Sequence, residues 1–156
     1  MCEYDYNWIL DDLALGNIVV GKNLDYLKSI GIDVIVCALP ELPLPIEAYE
    51  AKGFSLLHIP IDDAESVDIG RWFEDVTYFI MMHRLMNRKT FVHCYAGISR
   101  SSTLLCSYLM NLFCWDEVKA LFWIRDKRPC VSPNSGFLRQ LKQYSHTNKH
   151  CNKRLT

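Results

Sequence analysis

The stretch from His93 to Ser101, HCYAGISRS, constrains the fold of this chain more than any other. Residues 89–92 precede it and form a short run rich in β-branched and aromatic side chains, which predicts a buried strand. Residues 102–110 follow it and are apolar enough to predict a largely buried helix. The sequence therefore predicts a strand, a tight loop and a helix, with Cys94 at the end of the strand and Arg100 where the helix begins.

The predicted loop has the features of an anion-binding site. Successive backbone N–H groups in a tight loop form a concavity that attracts anions, and a helix that begins there adds its unpaired N–H groups and the positive end of its dipole. Arg100 adds a planar, permanently charged guanidinium that suits two phosphate oxygens. Gly97 permits a positive φ angle or a close approach of the backbone to a ligand. We therefore expect phosphate, sulfate or vanadate to bind in the loop above the thiol of Cys94.

The same loop predicts a nucleophilic cysteine. A helix N terminus and a cationic neighbour favour the ionised form of a cysteine, which is its nucleophilic form. A thiolate beneath a bound phosphate is placed for in-line attack on phosphorus, which gives a covalent phosphocysteine. Arg100 and the loop amides would stabilise the equatorial oxygens, and the Ser101 hydroxyl can donate to the sulfur. This chemistry requires no metal and no other cofactor. The alternative is a buried structural cysteine beside a surface arginine.

These residues carry a resemblance to a known family. His-Cys-x-x-Gly-x-x-Arg-Ser resembles the signature of the cysteine-dependent protein tyrosine phosphatase superfamily, and the form HCYAGISRS most resembles the dual-specificity branch. The pattern Arg-Pro-x-x-x-Pro-Asn-x-x-Phe-x-x-Gln-Leu, which starts at Arg128, is similar to the C-terminal ending of that branch. The resemblance spans nearly the whole chain and is to the small, atypical members. It implies a phosphate-binding loop of Tyr95, Ala96, Gly97, Ile98, Ser99 and Arg100.

Strand and helix patterns alternate along the chain. We expect an α/β fold with a central twisted, mainly parallel sheet of four to five strands flanked by helices on both faces, as in protein tyrosine phosphatases. Residues 1–145 are predicted to form a single catalytic domain, and residues 146–156 a polar C-terminal tail. The predicted strands are 8–10, 13–15, 33–38, 55–59 and 89–92, and the predicted helices are 24–29, 46–52, 69–86, 102–110, 115–127 and a last one capped by Asn134 or Ser135.

The composition is that of an ordinary globular protein. The chain has 156 residues, enough for one domain, and its formal net charge of −1 gives no reason to expect nucleic acid or an anionic membrane as a partner. The odd number of cysteines, seven, favours reduced thiols over a disulfide scaffold. The sequence contains no signal-peptide pattern and no apolar run near the roughly 20 residues of a membrane span. We expect a monomer in the cytoplasm, with the nucleus as the alternative.

Release of the leaving-group oxygen needs a proton donor. Asp62 and Asp63 follow a predicted strand and begin a loop, where a mobile carboxylic acid is expected. The resemblance implies an aspartate about thirty residues before the cysteine, after a similar Ile-Pro-x-x-Asp run, and this matches Asp63. Asp62 remains the alternative, and two solvated loop carboxylates or a cap for the following helix remain a non-catalytic reading of the pair.

Four further features have a structural and a functional interpretation. His93 is expected to be buried and hydrogen-bonded to the loop, where it stiffens the loop and favours the thiolate. Asn134 belongs to the Pro-Asn pair of the family pattern, for which a structural role outweighs a catalytic one. Cys37 ends a predicted central strand, and a packed core thiol is favoured over a protective disulfide with Cys94. His146, His150 and Cys151 have the spacing of a metal site, but a flexible tail is favoured because no paired cysteine motif occurs elsewhere.

The resemblance also bears on the substrate. Tyrosine-specific relatives are longer and have a deeper pocket, whereas the compact branch has a shallow pocket that also admits phosphoserine and phosphothreonine. We therefore predict a phosphoprotein substrate. One alternative is a non-protein phosphomonoester, namely an RNA 5′ end, a phospholipid or a carbohydrate; the loop lacks the lysines that are frequent in phosphoinositide-directed relatives. The other alternative is a phosphopeptide-binding pseudophosphatase, although such proteins usually have lost the cysteine or the arginine.

Overall fold

A five-stranded sheet forms the centre of the molecule. The computed structural model describes residues 5–147 of the chain. The strands are β1 Tyr6–Leu10, β2 Leu13–Gly16, β3 Ile32–Cys37, β4 Ser55–His58 and β5 Lys89–His93. They lie in the order β1-β2-β5-β3-β4, and all neighbours are parallel except the hairpin of β1 and β2 around Asp11 and Asp12. The predicted mainly parallel α/β sheet is therefore confirmed.

Seven α-helices and one 3₁₀ helix surround the sheet in the described part of the chain. The α-helices are α1 Ile18–Gly21, α2 Leu24–Ser29, α3 Ile46–Ala51, α4 Phe73–Leu85, α5 Arg100–Phe113, α6 Glu117–Lys127 and α7 Ser135–Thr147, and the 3₁₀ helix is Ile69–Trp72. Over residues 5–147, no helix is both long and apolar enough to cross a membrane.

Several helices differ from their predicted bounds, including α5, which ends three residues later than predicted, and α3, which ends one residue earlier. Helix α1 was not predicted, and it begins because the side chain of Asn17 accepts a hydrogen bond from the backbone of Val20 at 3.1 Å. The predicted helix 69–86 consists of the 3₁₀ helix followed by α4, and α6 begins two residues later than predicted because Asp116 caps it. Helix α7 continues two residues past the predicted domain boundary at 145, and the rest of the predicted tail, with His150 and Cys151, lies outside the described residues.

Side chains alternate between two core layers, one on each face of the sheet. Val92 of β5 packs with the buried residues of α4, α5, α6 and α7, whereas Phe91, its neighbour in the strand, packs with those of α2 and the buried Tyr49 of α3. Because successive strand residues face opposite sides of a sheet, β5 is buried on both faces. The central strand β5 is thus covered on both faces, and a ligand can approach it only at its ends.

The carboxyl ends of the three central strands meet at one edge of the sheet. His93, the last residue of β5, pairs with Gly16 at the end of β2 on one side and with Cys37 at the end of β3 on the other. Parallel α/β sheets bind ligands in the crevice beyond the carboxyl ends of their strands. Residues 94–99 therefore leave the sheet at its middle, directly beyond this edge.

The close packing of α7 against the loop after β4 gives a prediction. A Cβ atom at Gly136 would collide with the backbone oxygen of Glu65, so Gly136→Ala requires the two segments to separate. We expect a loss of about 2 kcal/mol or more in the free energy of unfolding, since overpacking against backbone is not relieved by a rotamer change. Gly70→Ala is the control, because the atom closest to its Cβ would be Oε1 at the tip of the flexible Gln140 side chain, at 3.3 Å. Equal denaturant midpoints for the two variants would contradict this packing.

Candidate active site

Cys94 lies directly after β5, beneath the start of α5. Its side chain is 2 % exposed, and its Sγ lies 3.0 Å from the hydroxyl of Ser101, which is buried in the first turn of α5. A hydroxyl in this position donates to the sulfur when the sulfur is ionised. The structure thus brings Cys94 and Ser101 together.

The backbone carbonyls of the loop are turned away from its centre. Each of the six carbonyl oxygens from Cys94 to Ser99 accepts a hydrogen bond from a group outside the loop or from the helix that follows it. The donors are His93 Nδ1 to Cys94 at 3.0 Å, Ile18 N to Tyr95 at 2.9 Å, Arg128 Nη2 to Ala96 at 3.1 Å, Arg128 Nε to Gly97 at 2.9 Å, Ser132 N to Ile98 at 2.9 Å and Thr103 N to Ser99 at 3.0 Å.

The amide N–H groups of the loop therefore point inward. In a trans peptide unit the C=O and N–H bonds are antiparallel, so a carbonyl held outside directs the next residue's N–H to the opposite side. Within residues 5–147, none of the N–H groups of residues 95–99 donates to a protein acceptor. Unpaired backbone donors that converge in a concavity at a helix N terminus form an anion-binding site.

Gly97 permits the tight turn of the loop. Its φ angle is +70°, in the left-handed region that favours glycine, and a Cβ atom would lie 2.6 Å from the backbone oxygen of Gly16 and 2.8 Å from Arg128 Nη2. Gly97 has the positive φ angle that the sequence predicts. Its close neighbours are the protein's own atoms, and the alternative expectation, a close approach to a ligand, stays a prediction. On the rim of the loop, the side chains of Tyr95 and Ile98 are exposed.

Arg100 joins the loop to the segment after β4. Its Nη1 donates to the backbone oxygen of Ile61 at 3.2 Å. Its Nε is buried and has no hydrogen-bond partner within the described residues. An unpaired, buried guanidinium donor is costly unless an anion accepts from it. The Arg100 side chain can therefore donate from Nε to a phosphate oxygen while Nη1 stays bonded to the backbone oxygen of Ile61.

Asp63 is held by one hydrogen bond from the phosphate-loop candidate and one from the start of α7. Its Oδ1 accepts from the hydroxyl of Ser99 at 2.7 Å and from Nδ2 of Asn134 at 2.9 Å. Asn134 is held in turn, because its Oδ1 caps α7 by accepting from Phe137 N at 2.9 Å and its own N–H donates to Ser99 Oγ at 3.0 Å. The structure brings Asp63, Ser99 and Asn134 together, whereas Asp62 is exposed and makes no hydrogen bond to this cluster.

His93 is wholly buried, and its ring is covered by the backbone of Gly21, where a Cβ atom would lie 2.6 Å from the ring. Burial lowers the pKa of His93 to about 4, so the imidazole is neutral at pH 7. A neutral ring that faces a carbonyl must carry its proton on the facing nitrogen. Nδ1 therefore donates to the backbone oxygen of Cys94, and the ring fixes the first peptide of the loop.

Cys37 and Cys94 belong to different core layers. Cys37 packs with Ile35 on one side of the sheet, and Cys94 packs with Val36 on the other side. Burial, with a smaller coulombic contribution from the neighbouring Cys94 sulfur, raises the pKa of Cys37 to about 12. Cys37 is therefore a protonated thiol at neutral pH, which is the form of a packed core cysteine and not of a ready nucleophile.

The contacts of Arg128 and Ser132 with the loop were missed by sequence reasoning. Arg128 was part of the C-terminal pattern, but no local signal shows that its guanidinium reaches carbonyls some thirty residues earlier in the chain. Among residues 5–147, no three His, Cys, Asp or Glu side chains are grouped so that they could hold a metal ion.

Comparison with known proteins gives consistent similarities. The family model described as "Dual specificity phosphatase, catalytic domain" matches residues 13–147. Tyrosine-protein phosphatase yvh1 of Schizosaccharomyces pombe is 38% identical over 154 residues, which is 97% of this chain and 44% of that protein. Dual specificity protein phosphatase 15 of Mus musculus is 34% identical over 142 residues, 90% of this chain and 57% of that protein. The chain spans about half the length of these two relatives. A crystal structure of DUSP15 superposes with a TM-score of 0.85 at 30% identity and covers 97% of this chain and 94% of that one.

The buried, neutral His93 predicts how stability depends on pH. Because its folded-state pKa of about 4 lies below the unfolded value of 6.5, the unfolded chain takes up the proton first as pH falls. Stability is therefore full above pH 6.5 and is lost between pH 6.5 and 4, by about 3 kcal/mol in total. His93→Asn retains an N–H donor for the Cys94 carbonyl and does not titrate, so its unfolding free energy should fall less over this window.

Denaturant titrations from pH 4.5 to 7.5 measure this difference. His146→Gln, a change at an exposed histidine of α7, is the control and should keep the wild-type slope. An NMR titration in which the His93 ring takes up its proton near pH 6.5 would contradict the prediction.

Proposed function

Because the chain belongs to the dual specificity phosphatase family, we propose that it hydrolyses phosphotyrosine and phosphoserine or phosphothreonine in proteins through a phosphocysteine on Cys94. The observation that carries the proposal is the orientation of the loop. Six carbonyls are held outward around a buried thiol, so that the amides converge on the place where a phosphate would lie above the sulfur.

The first step transfers the phosphoryl group to the enzyme. The Cys94 thiolate attacks phosphorus, the sulfur–phosphorus bond forms, and the bond from phosphorus to the leaving oxygen breaks. The inward amides and Arg100 stabilise the three equatorial oxygens. Asp63 gives a proton to the leaving oxygen. Both of its hydrogen bonds from Ser99 and Asn134 end on Oδ1, which supports Oδ2 as the oxygen that carries the proton.

The second step regenerates the Cys94 thiolate. A water molecule attacks phosphorus, the Asp63 carboxylate accepts a proton from that water, and the sulfur–phosphorus bond breaks to release inorganic phosphate. The Ser101 hydroxyl at 3.0 Å from Cys94 Sγ donates to the departing thiolate and makes it a better leaving group. Asp63 thus acts first as an acid and then as a base, so that no net proton is lost by the enzyme.

The family name and the shape of the loop support a protein substrate. Exposed Tyr95 and Ile98 give the rim apolar contacts that suit a peptide chain, and no lysine stands among the five residues between Cys94 and Arg100 to favour a polyanionic head group. A non-protein phosphomonoester is the competing substrate class. A structure of PTPMT1 has a TM-score of 0.83 at 21% identity, a likeness that concerns the fold alone.

A second candidate function is phosphopeptide binding without hydrolysis. It is favoured by the similarity to human tyrosine phosphatase-like serine/threonine/tyrosine-interacting protein, whose structure has a TM-score of 0.83 at 28% identity. The presence of both Cys94 and Arg100, with Ser101 in contact with the sulfur, supports the enzyme over the binding protein. The phosphoprotein partner, the monomeric state and the cytoplasmic or nuclear location stay predictions.

We expect Cys94→Ser to abolish hydrolysis of p-nitrophenyl phosphate, because an alkoxide does not form at neutral pH in place of the thiolate. The assay is run with EDTA present, and wild-type activity should persist because no step uses a metal. A wild-type protein that binds phosphopeptide but releases no phosphate from aryl, phosphoserine, lipid or RNA 5′ substrates would establish the binding function instead.

We expect Asp63→Asn to lower kcat on a phosphoserine peptide about 10²-fold or more, since an alkoxide leaving group needs a proton. The fall should be smaller on p-nitrophenyl phosphate, whose leaving group departs without one. Asp62→Asn is the matched variant, because it removes the same charge one residue away. If Asp62→Asn lowers kcat while Asp63→Asn leaves it unchanged, the general acid is Asp62.

A further inference from the structure

Arg128 is a buried cation with every N–H group bonded. Its side chain is 1 % exposed, and a guanidinium offers five N–H donors. Two of them, on Nε and Nη2, donate to the carbonyls of Gly97 and Ala96 in the phosphate loop. The other contacts are Nη1 to Asp5 Oδ1 at 2.6 Å, Nη1 to Asn7 Oδ1 at 3.0 Å and Nη2 to Asp5 Oδ2 at 2.9 Å. The five donors thus meet five acceptors, so the guanidinium has one orientation.

This orientation fixes two peptides of the loop. The carbonyl of Ala96 shares its peptide plane with the N–H of Gly97, and the carbonyl of Gly97 shares its plane with the N–H of Ile98. When Arg128 holds both carbonyls outside, both N–H groups face the proposed phosphate site. Because Gly97 has φ +70° and no side chain, its two peptides are the ones that could most easily rotate the other way.

Asp5 holds the outer side of the guanidinium. Both of its carboxylate oxygens accept from Arg128, and the backbone oxygen of Asp5 accepts from Asn17 N at 3.1 Å, which anchors this residue beside the end of β2. The hydrogen bonds from Arg128 lower the pKa of Asp5, so the carboxylate is charged at neutral pH. Asp5 lies outside the 13–147 range of the family match.

We propose that Asp5 is a positioning residue for the phosphate loop, which acts through Arg128 to keep the N–H groups of Gly97 and Ile98 directed at the bound anion. The inference rests on the proposed phosphate site but not on the hydrolysis step. Asp5 touches neither sulfur nor phosphate, so its effect is transmitted through one side chain and two peptide planes.

If Asp5 acted only through its charge, its removal would change the phosphate affinity in the opposite direction. Removing the Asp5 carboxylate leaves the positive charge of Arg128 uncompensated close to the loop, and an uncompensated cation attracts a phosphate dianion more strongly. If orientation dominates, losing Asp5 weakens anion binding, because rotated peptides replace donors with carbonyl oxygens. The direction of the change in phosphate affinity therefore separates the two roles.

The first test compares inorganic phosphate binding to the full chain carrying Asp5→Asn with that of Asp126→Asn, by calorimetry at pH 7. Asp126 pairs with Lys127 at 3.0 Å on the exposed end of α6, so its variant removes the same charge without touching Arg128. We expect Asp5→Asn to weaken phosphate binding about tenfold, the scale of a lost charge-assisted hydrogen bond. Asp126→Asn should bind like wild type.

The second test asks whether Asp5 acts through Arg128. Arg128→Lys keeps the charge but cannot hold both carbonyls and the carboxylate together. The double variant with Asp5→Asn and Arg128→Lys should bind phosphate no more weakly than Arg128→Lys alone. If the two substitutions lower phosphate affinity by independent factors that multiply, Asp5 does not act through Arg128. If Arg128→Lys does not fold, Asn7→Ala, which removes one acceptor of the same guanidinium, should weaken phosphate binding by a smaller factor than Asp5→Asn.

Nitrogen relaxation dispersion of the Gly97 and Ile98 amides in ligand-free protein gives a readout independent of phosphate. Within the described residues these N–H groups donate to no protein acceptor, so the informative signal is reorientation of their peptide planes. We expect exchange broadening at these two amides in Asp5→Asn but not in Asp126→Asn. If wild type binds no phosphate, the proposed site fails, while this comparison still decides the positioning role. Absence of added broadening, or tighter phosphate binding in Asp5→Asn, would overturn the inference.

Discussion

The site depends on where six peptide carbonyls of one loop point. A peptide unit is rigid, so a carbonyl that is bonded outside commits the following N–H to the inside. Unpaired buried N–H groups are unfavourable by about 1–3 kcal/mol each, and several of them in one loop would open it unless other bonds compensate. The outward bonds from His93, Arg128, Ser132 and the start of α1 supply that compensation. The loop is therefore held ready for an anion before one arrives.

The same bonding explains why distant segments meet at this site. The segment after β4 is attached through Arg100 to Ile61 and through Ser99 to Asp63, and the start of α7 is attached through Asn134. Gly136 lets α7 lie against the backbone of Glu65, which brings Asn134 next to Asp63. The Asp63 carboxyl group accepts two hydrogen bonds on Oδ1, one of them from the start of α7. Its position is therefore defined, although its side chain is exposed.

Features with local causes could be predicted from the sequence. Helix α2 has its predicted bounds because Asn23 caps it, and Asn134 caps α7 in the same way. The two-sided burial of β3 follows from its apolar run, and that of β5 from its β-branched and aromatic residues. Helix α1 has only four residues, too few for a periodic pattern, so only its cap at Asn17 signals it. The partners of Arg128 lie up to 123 residues away in the chain, and no local pattern encodes such a contact.

The two arginines of the site have the same side chain but different partners, and the partners decide what each does. Arg128 has five acceptors, two of which are the oxygens of the charged Asp5 carboxylate, so its charge is neutralised and its contribution is orientation. Arg100 has a backbone carbonyl and a buried Nε without a partner in the described chain, so its charge is not compensated. An anion in the loop therefore experiences the field of Arg100 and of the amides that Arg128 orients. Because orientation and field come from separate residues, the loop geometry can be perturbed at Asp5 without removing the charge that binds phosphate.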